Sequence, residues 1–404
     1  MSSRETDNQS GFAPILTAAE QTLSKTLGRP VRLGETTPLT EKGRRNVVLR
    51  CRDLSGGSPA SFIIKQVATE HYDPRDTASW DVRRFFSDWV GAEFLSTIPT
   101  VPRSSPRFYA GDRSLGFFVL EDLGPHRSLV EPLLGEEATS AATALLTLAT
   151  CLGKLHAATL GQSARFESLC RDLHPEAGLL APSGAEFHER ARRLQAALER
   201  LEVRVDASFR RELETVSGTI ERPGPFFTYV HGDPCPDNIF LTGEQAYLID
   251  FEFGRFGHAL IDATYGRMMF PTCWCANRLP GALISRMESA YRAELVKGCP
   301  EAQDDRVFET ALVRVCAFWL LNTLGWHLDG ALREDRTWGI ATVRSRLLGR
   351  LEAFLALAGA LTQLPAVQGL AERLLEVLGE RWPEAPPLPL YPAFATDRAS
   401  RQSR

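Results

Sequence analysis

Alternating apolar and polar positions predict a strand-rich region at the start of the chain. Three segments are rich in β-branched residues and separated by Gly, Ser and Pro, which is typical of strands: 29–38, 45–51 and 60–67. Two more strands are expected at 106–111 and 116–123. Helices are expected at 12–27, before the first strand, and at about 81–97, after the third. This region is therefore predicted to form a small sheet with accompanying helices.

A helical pattern dominates the rest of the chain. Ser140–Leu160 has apolar residues at positions 145, 148, 152 and 155, which is helical spacing. More helix is expected around 185–218 and from 280 to about 380. Strand signals return in three short segments: 225–232, 237–242 and 246–251.

These patterns predict an α+β organisation with a strand-rich first lobe and a larger, mainly helical second lobe. The expected parts are a mobile N-terminal tail (1–10), the first lobe (11–123), a hinge (124–126), the second lobe (127–383) and a proline-rich tail (384–404). The proline-rich tail cannot be regular helix. Clefts between two such lobes are common ligand sites.

Composition is that of a soluble globular protein, with 404 residues of which 44% are hydrophobic and 24% charged. A formal net charge of -4 is small for this length and argues against broad binding to nucleic acid or to a membrane surface. The N-terminus lacks the order of a signal peptide. The most apolar run, 354–361, is too short to span a bilayer. A cytoplasmic location without membrane attachment is expected.

Eight cysteines in this length do not indicate a disulfide framework. Cys273 and Cys275 lie close together, but a zinc site would need two further ligands at suitable spacing. These two residues are therefore interpreted as ordinary buried thiols.

The segment 231–254, HGDPCPDNIFLTGEQAYLIDFEFG, carries the candidate chemistry. Asp250 ends an apolar strand, where an unpaired carboxylate is costly and a cation is one remedy. Asn238 precedes another apolar run, and a carboxylate with an amide oxygen suits Mg²⁺. Asp233 lies in a proline-bent loop and could accept a proton from an attacking hydroxyl. Each residue alone could instead cap backbone groups in a turn, but the set favours a site that holds a metal and handles a proton.

HGDPCPDN followed by LIDFEFG resembles the HxDxxxxN loop and the metal-binding segment of the aminoglycoside phosphotransferase and choline kinase-like family. These enzymes are small-molecule relatives of the protein kinases. The resemblance covers about residues 30–340 and implies a two-lobed, protein-kinase-like fold with a small antiparallel sheet in its first lobe. It implies that Asp233 is the catalytic base, that Asn238 and Asp250 bind Mg²⁺, and that His231 supports the loop.

Three further residues near these motifs have a suggested role. Asp262 resembles a family aspartate that hydrogen-bonds to the catalytic loop, and it could equally be a helix N-cap. His156 is interpreted as packing or loop support. Glu252 is expected near the metal, in a solvated position, or behind the metal ligands in a supporting role.

A kinase-like first lobe needs a lysine on its third strand to hold the nucleotide phosphates, paired with a helix glutamate. Lys65 ends the apolar strand SFIIK. In the next helix Phe86, Trp89 and Val90 form an inward stripe that continues to Glu93. An acid on an apolar face requires a buried partner, so a Lys65–Glu93 pair is expected. The alternative is an exposed lysine and a helix-edge glutamate.

The remaining ATP contacts are implied by the resemblance. Main-chain groups of Glu121 and Leu123 are expected at the adenine edge. The first hairpin loop has no GxGxxG, and Gly43, Arg44 and Asn46 are its candidates for covering the phosphates.

The sequence departs from the protein kinases at two places. A His-Gly-Asp stands where they usually have His-Arg-Asp, and the APE segment is missing, so protein substrates are not expected. A P-loop is also missing, which removes the other common nucleotide cradle.

The acceptor site is predicted between the catalytic loop and the helices after residue 280. WHLDGALREDRTWG contributes Trp326, Asp329, Glu334, Asp335 and Trp338, a mixture suited to a cationic, hydroxylated guest. The alternative is an amphipathic helix end with its loop. Aminoglycosides, choline-like amines, sugars and amino alcohols all remain open as acceptors.

The predicted activity is transfer of the γ-phosphoryl group of MgATP, with GTP as an alternative donor, to a hydroxyl of a small molecule. Two other classes remain open. A nucleotide-binding pseudokinase is disfavoured because Lys65, Asp233, Asn238 and Asp250 are all intact. A metal-dependent hydrolase would not need an upstream lysine–glutamate pair.

Overall fold

A computed structural model describes residues 3–41, 44–69, 71–99, 102–174, 184–361 and 363–395. The chain divides into two compact units. The first contains Met1–His126, Ala164–Leu180 and Tyr247–Gly254, and the second contains Arg127–Ser163, Ala181–Ala246 and Arg255–Arg404. The boundary after His126 coincides with the end of the predicted hinge.

The first unit is built on an antiparallel sheet with helices. Its elements up to His126 are α1 (Ser3–Leu27), β1 (Leu33–Pro38), β2 (Asn46–Asp53), β3 (Ser61–Val67), α2 (Trp80–Ser96), β4 (Phe108–Asp112) and β5 (Phe117–Glu121). The strands lie in the order β1-β2-β3-β5-β4. All five predicted strands and both predicted helices of this region are present.

The period of two along the strands decides which side chains meet which helix. Phe62 and Ile64 of β3 pack in a core with Ile15 and Leu23 of α1. Lys65 points to the opposite face, together with its cross-strand neighbour Phe118. The ring of Phe118 contacts the aromatic side chains of α2, so Lys65 faces α2 as well.

The N-terminal helix is longer than predicted. It begins at Ser3 instead of Phe12, so residues 3–10, predicted as a mobile tail, are helical. These residues are polar and lack an apolar helical pattern, so the sequence did not indicate that the helix extends over them.

Beyond His126 the chain is mainly helical, as predicted. Its helices are α3 (Val130–Leu134), α4 (Ala138–Thr159), α5 (Ser163–Leu173), α6 (Gly184–Arg200), α7 (Ala207–Glu221), α8 (Leu260–Ala263), α9 (Gly281–Leu295), α10 (Asp305–Arg333), α11 (Val343–Leu361), α12 (Pro365–Arg381) and α13 (Pro392–Ala395). From Ala164 onward α5 belongs to the first unit, and the other helices belong to the second.

Short strands accompany these helices. They are β6 (Arg127–Ser128), β7 (Phe227–Val230), β8 (Ile239–Thr242), β9 (Gln245–Leu248), β10 (Arg255–His258), β11 (Thr337–Trp338) and β12 (Ala341–Thr342). β7 pairs with β10, β11 pairs with β12, and β8 lies between β6 and β9. The sequence did not predict β10. This strand pairs antiparallel with β7 and so fixes the strand that leads into the loop beginning at His231.

The long helix α10 forms the core of the second unit and is buried on all sides between Val315 and Gly325. It packs against α6, α7 and α11. By length and composition, α4 and α10 are each long and apolar enough to cross a membrane, although the apolar runs of the sequence did not predict this. However, 56% of the apolar window of α4 and 78% of that of α10 is buried inside the protein, as in core helices of soluble proteins.

The first part of the proline-rich tail packs on the second unit. Leu388 and Tyr391 are buried, and Tyr391 N donates a hydrogen bond to Arg278 O at 3.0 Å. The short helix α13 follows. Residues 396–404 of the predicted tail lie outside the described residues.

Candidate functional site

Lys65 lies in a buried ion-pair cluster of the first unit. Its Nζ is 2.5 Å from Asp88 Oδ2 and 2.5 Å from Asp250 Oδ1. Burial opposes the charged amine, but the two carboxylates outweigh it and raise the pKa of Lys65 above its ordinary value. Lys65 therefore remains a cation fixed on the inner face of the sheet.

The prediction that Asp250 ends a strand is wrong, because strand β9 stops before this residue. The strand ends at Leu248, and Asp250 has a φ of 67°, in the left-handed region. The next amide, Phe251 N, donates to Asp88 Oδ1 at 2.7 Å. Asp88 thus binds both the lysine and the backbone beside Asp250, and it fixes the turn that presents the Asp250 carboxylate.

The predicted Lys65–Glu93 pair is wrong, because Asp88 takes the place of Glu93. The Glu93 carboxylate instead accepts a hydrogen bond from Trp89 Nε1 at 2.9 Å. Nearly every side chain of α2 between Phe85 and Ala92 is buried, so the apolar stripe does not show which side of the helix meets the lysine. Burial raises the pKa of Glu93, although the bond from Trp89 opposes this.

We expect replacement of Asp88 by asparagine to destabilise the protein by about 1–3 kcal/mol, because Lys65 loses one of two charged hydrogen-bond partners. The matched variant Glu93→Gln keeps an acceptor for Trp89 and should stay within about 0.5 kcal/mol of wild type. Denaturant titration of both variants measures the difference. Equal losses in the two variants would show that the assignment of Asp88 is wrong.

Glu252 is buried, which removes the solvated position from those predicted for it. Its carboxylate forms ion pairs with Arg45 and with Arg84, and Arg84 also lies over the ring of Phe253. Sequence reasoning missed both arginines. Arg45 is one residue before Asn46, where β2 begins, so this cluster anchors the end of the first hairpin loop.

The other candidates of the first hairpin loop are only partly described. Gly43 lies outside the described residues. Arg44 is exposed, with its guanidinium 3.8 Å from the carboxylate of Glu41. The predicted contacts of Gly43, Arg44 and Asn46 with ATP phosphates stay predictions.

The predicted adenine-binding segment follows directly from β5. The side chain of Glu121 forms an ion pair with Arg103 at 2.9 Å and accepts a hydrogen bond from Arg107 N at 3.0 Å. Leu123 lies between this strand and Gly124, whose φ of 69° is readily adopted by glycine. The role of Glu121 and Leu123 in binding ATP stays a prediction.

In the second unit, Asp262 holds the loop after β7. Its carboxylate accepts hydrogen bonds from His231 N at 2.6 Å and Gly232 N at 2.9 Å. His156 Nε2 lies 3.3 Å from the same carboxylate, and Tyr291 OH contacts the other ring nitrogen of His156. Burial opposes ionisation of Asp262, but these hydrogen bonds prevail and lower its pKa. This is the loop contact that the resemblance implied for Asp262.

The loop also orients Asp233 and Asn238. Asp233 N donates to His231 Nδ1 at 3.2 Å, and Asn238 Nδ2 donates to Asp233 O at 3.0 Å. The loop backbone engages the amide nitrogen of Asn238, so the amide oxygen is the atom of this side chain that could bind a metal. His231 is fully buried and supports the loop from inside.

A disulfide joins Cys235 of this loop to Cys273, which are 38 positions apart in sequence and have Cα atoms 5.5 Å apart. The interpretation of Cys273 as an ordinary thiol is therefore wrong, whereas Cys275 is a buried free thiol. Asp233, Cys235 and Cys273 bring possible metal-ligand atoms within 4.8 Å of one another. A disulfide sulfur is not a thiolate ligand, so this cluster does not have the chemistry of a zinc site.

The predicted acceptor segment does not form one cation-binding cluster. Trp326 and Trp338 have ring centroids 6.3 Å apart, but Arg190 lies over the ring of Trp326. Asp329 forms ion pairs with Arg200 and Arg333. A carboxylate that already pairs with two guanidinium groups contributes little to the binding of a further cation.

The two remaining acids of this segment are also placed differently from the prediction. Asp335 accepts a hydrogen bond from Arg344 N at 3.1 Å, near the start of α11. Glu334 is exposed. The segment as a whole resembles the open alternative, a helix end with its loop.

The candidate residues are distributed over both units. The first unit contains Lys65, Asp88, Glu93, Glu121, Leu123 and Asp250, and the second contains His231, Asp233, Asn238 and Asp262. Each group is held in place by contacts within its own unit.

Comparison with known proteins agrees with the resemblance. Residues 99–292 match the family model described as the phosphotransferase enzyme family. No curated protein matches the sequence. The choline kinase of Cryptosporidium parvum Iowa II has a similar fold, with a TM-score of 0.50 at 11% sequence identity, over 88% of this chain and 97% of that chain.

Two other solved structures are similar at lower scores. A choline/ethanolamine kinase family protein from Mesorhizobium loti is 16% identical over 83% of this chain and 92% of that chain, with a TM-score of 0.42. An ADP-bound aminoglycoside phosphotransferase is 15% identical over 86% of this chain and 97% of that chain, also with a TM-score of 0.42. The prediction of a protein-kinase-like fold is confirmed, and the match over residues 99–292 supports the predicted resemblance to a family of small-molecule kinases.

Proposed function

We propose that this protein transfers the γ-phosphoryl group of MgATP to a hydroxyl of a small molecule, because residues 99–292 match the model of the phosphotransferase enzyme family. The observation that carries the proposal is the loop around Asp233. Asp262 fixes its backbone from inside, and the loop orders both Asp233 and Asn238. A loop organised in this way suits a base and a metal ligand that must hold their positions during transfer.

The proposed reaction follows from the charges of these residues. The hydroxyl oxygen of the acceptor attacks the γ-phosphorus, the bond to the β–γ bridging oxygen breaks, and ADP leaves. Asp233 orients the hydroxyl and accepts its proton. Lys65, kept cationic by its two carboxylate partners, offsets charge on the phosphates.

Mg²⁺ is the metal that the donor set fits, since Asp250 and Asn238 contribute hard oxygen atoms and Mg²⁺ binds few protein ligands alongside phosphate oxygens. The orientation of the Asn238 amide supports this assignment. When bound, the metal would neutralise charge on the transferring phosphoryl group.

We expect Asp250→Asn to weaken Mg²⁺-dependent ATP binding by at least about tenfold, because residues that merely support metal ligands already contribute roughly 10–100-fold. Calorimetric titration with MgATP, compared with ATP in the presence of a chelator, measures the effect. Equal MgATP affinities for the variant and wild type would rule out Asp250 as a ligand.

The proposed acceptor is a small molecule with a hydroxyl group. Choline-like amines and aminoglycosides are both molecules of this kind. ADP release can be measured with choline and, as a matched control, with tetramethylammonium, which has the same charge and no hydroxyl. An aminoglycoside and a simple sugar complete the set, and GTP replaces ATP in a parallel series. Release that depends on the hydroxylated compounds supports transfer, and release at one rate in every mixture contradicts it.

We also propose a cytoplasmic location, as expected for a consumer of ATP. Disulfides rarely persist in a reducing compartment, so the Cys235–Cys273 bond provides a test. Thiol labelling of the protein taken directly from its native cells should then find both sulfurs reduced. An intact bond in those cells would contradict the proposal.

A further inference from the structure

One oxygen of the proposed catalytic base is engaged by a residue far away in sequence. Thr272 Oγ1 donates a hydrogen bond to Asp233 Oδ1 at 2.5 Å. A hydroxyl that donates to a carboxylate acting as a base forms a charge-assisted bond, which is about twice as strong as a bond between neutral groups. Thr272 is half-buried and lies in the segment after α8.

Tyr265 lies beside this bond. Its hydroxyl donates to Gly232 O at 2.9 Å and lies 3.2 Å from Thr272 Oγ1. Burial raises the pKa of Tyr265 well above its ordinary value, so the phenol keeps its proton. The one proton of Tyr265 goes to Gly232 O, so Thr272 receives no hydrogen bond from this phenol, and the single proton of Thr272 goes to Asp233.

The backbone that carries Thr272 adopts an uncommon conformation. Met269 and Phe270 both have positive φ, 58° and 44°, in the left-handed region that non-glycine residues rarely adopt. Such a conformation costs free energy and persists only where the surroundings enforce it. Pro271 follows at once and restricts the turn further.

Two buried arginines of α11 supply this enforcement. Arg350 donates to Met268 O and Pro271 O, each at 3.2 Å. Arg346 donates to Cys273 O at 2.5 Å and to Trp274 O at 2.6 Å. Burial lowers the pKa of Arg346 to about 10 and that of Arg350 to about 9, which shows how strongly these cations are desolvated. Hydrogen bonds to carbonyls on both sides of Thr272 offset this cost and fix the segment.

In the oxidised protein the same segment is also linked covalently to the loop. Cys273 follows Thr272 directly, and Cys235 is two residues after Asp233, so the disulfide joins the two backbones beside the hydrogen bond. Its Cys235 sulfur lies 3.0 Å from Asp233 Oδ1. The carboxylate is thus bordered by the segment on which Thr272 lies.

We propose that Thr272 is a positioning residue that sets the orientation of the Asp233 carboxylate for proton transfer. The proposal rests on the proposed function, in which Asp233 is the base. Loss of the hydroxyl would remove a hydrogen bond that orients the carboxylate, and misplacement of a reacting group by about 1 Å can lower a rate by roughly a hundredfold.

The test compares Thr272→Val, which keeps the shape and removes the hydroxyl, with Thr272→Ser, which keeps the hydroxyl. Transfer is measured to whichever compound of the acceptor series wild type phosphorylates. We expect Thr272→Val to lower kcat by about ten- to a hundredfold with an unchanged KM for MgATP, and Thr272→Ser to restore most of the rate. A role in stability alone would predict equal effects on the valine and serine variants, and wild-type kcat in Thr272→Val would overturn the proposal.

Crystal structures of the two variants provide a readout that does not depend on any acceptor. The Asp233 carboxylate should adopt a new or mixed rotamer in Thr272→Val and keep its wild-type rotamer in Thr272→Ser. An unchanged carboxylate in Thr272→Val would contradict the proposal, even if wild type phosphorylates nothing. Failure of wild type to transfer phosphate, with the rotamer change present, would instead contradict the proposed function. Thr272→Ala serves in both measurements if the valine variant does not fold.

Discussion

Replacing Asp233 by asparagine is expected to lower the rate of phosphoryl transfer by about 10²–10⁴-fold, the usual contribution of a general base. The amide cannot accept the proton of the acceptor hydroxyl, although it can still accept the hydrogen bond from Thr272. The backbone bonds that hold the loop come from Asp262 and His231 and remain in the variant. MgATP affinity should therefore be unchanged, and calorimetry together with initial rates separates the two effects.

A matched control is available in the same loop. Asp237 is exposed and accepts a hydrogen bond from Trp274 Nε1 at 3.0 Å, and the family motif assigns no role to it. Asp237→Asn removes the same charge four residues away and should retain the wild-type rate within about twofold. Wild-type turnover in Asp233→Asn, or equal losses in both variants, would exclude Asp233 as the base.

The second large effect is on stability. Replacing Cys235 or Cys273 by serine is expected to lower the free energy of unfolding by about 4 kcal/mol, because the disulfide closes a loop whose ends are 38 residues apart and restricts the unfolded chain. Denaturant titration under non-oxidising conditions without thiols measures the difference. Because a single cysteine left behind is buried and uncharged, most of the loss comes from the missing cross-link.

Reduction provides the control for this prediction. A reductant should shift the unfolding midpoint of wild type to that of the serine variants and should leave the variants unchanged. If wild type unfolds at the same midpoint with and without reductant, the disulfide does not contribute as proposed. Thiol counting of the unfolded protein then decides whether the bond is present at all.

The helices and strands of this fold are predicted well, because the residue pattern that determines each of them lies within the element itself. The strand of Lys65 has the alternation of a half-buried strand, and the structure confirms both its position and the inward direction of the lysine. The start of α1 and the course of the C-terminal tail were less predictable. Polar residues tolerate several backbone conformations, and the backbone around Tyr391 is held by hydrogen bonds with the distant Arg278.

The partners of site residues were harder to predict, because they depend on packing between segments far apart in sequence. Glu93 was the natural candidate on an apolar stripe, yet Asp88 lies on the side of α2 that faces β3. Thr272 is 39 residues from Asp233, and no spacing rule connects them. The motif at 231–250 could be recognised because its residues act through a short, conformationally restricted loop, whereas the residues that hold this loop come from elsewhere.

The measurement that tests the central claim most directly is transfer of γ-labelled phosphate from MgATP into an extract of small metabolites, with wild type beside Asp233→Asn. We predict a labelled compound that forms with wild type and not with the variant, and its mass will identify the acceptor. If both proteins give the same labelled compounds, or if wild type labels nothing that the variant does not, the claim that this site transfers phosphate to a small molecule is contradicted.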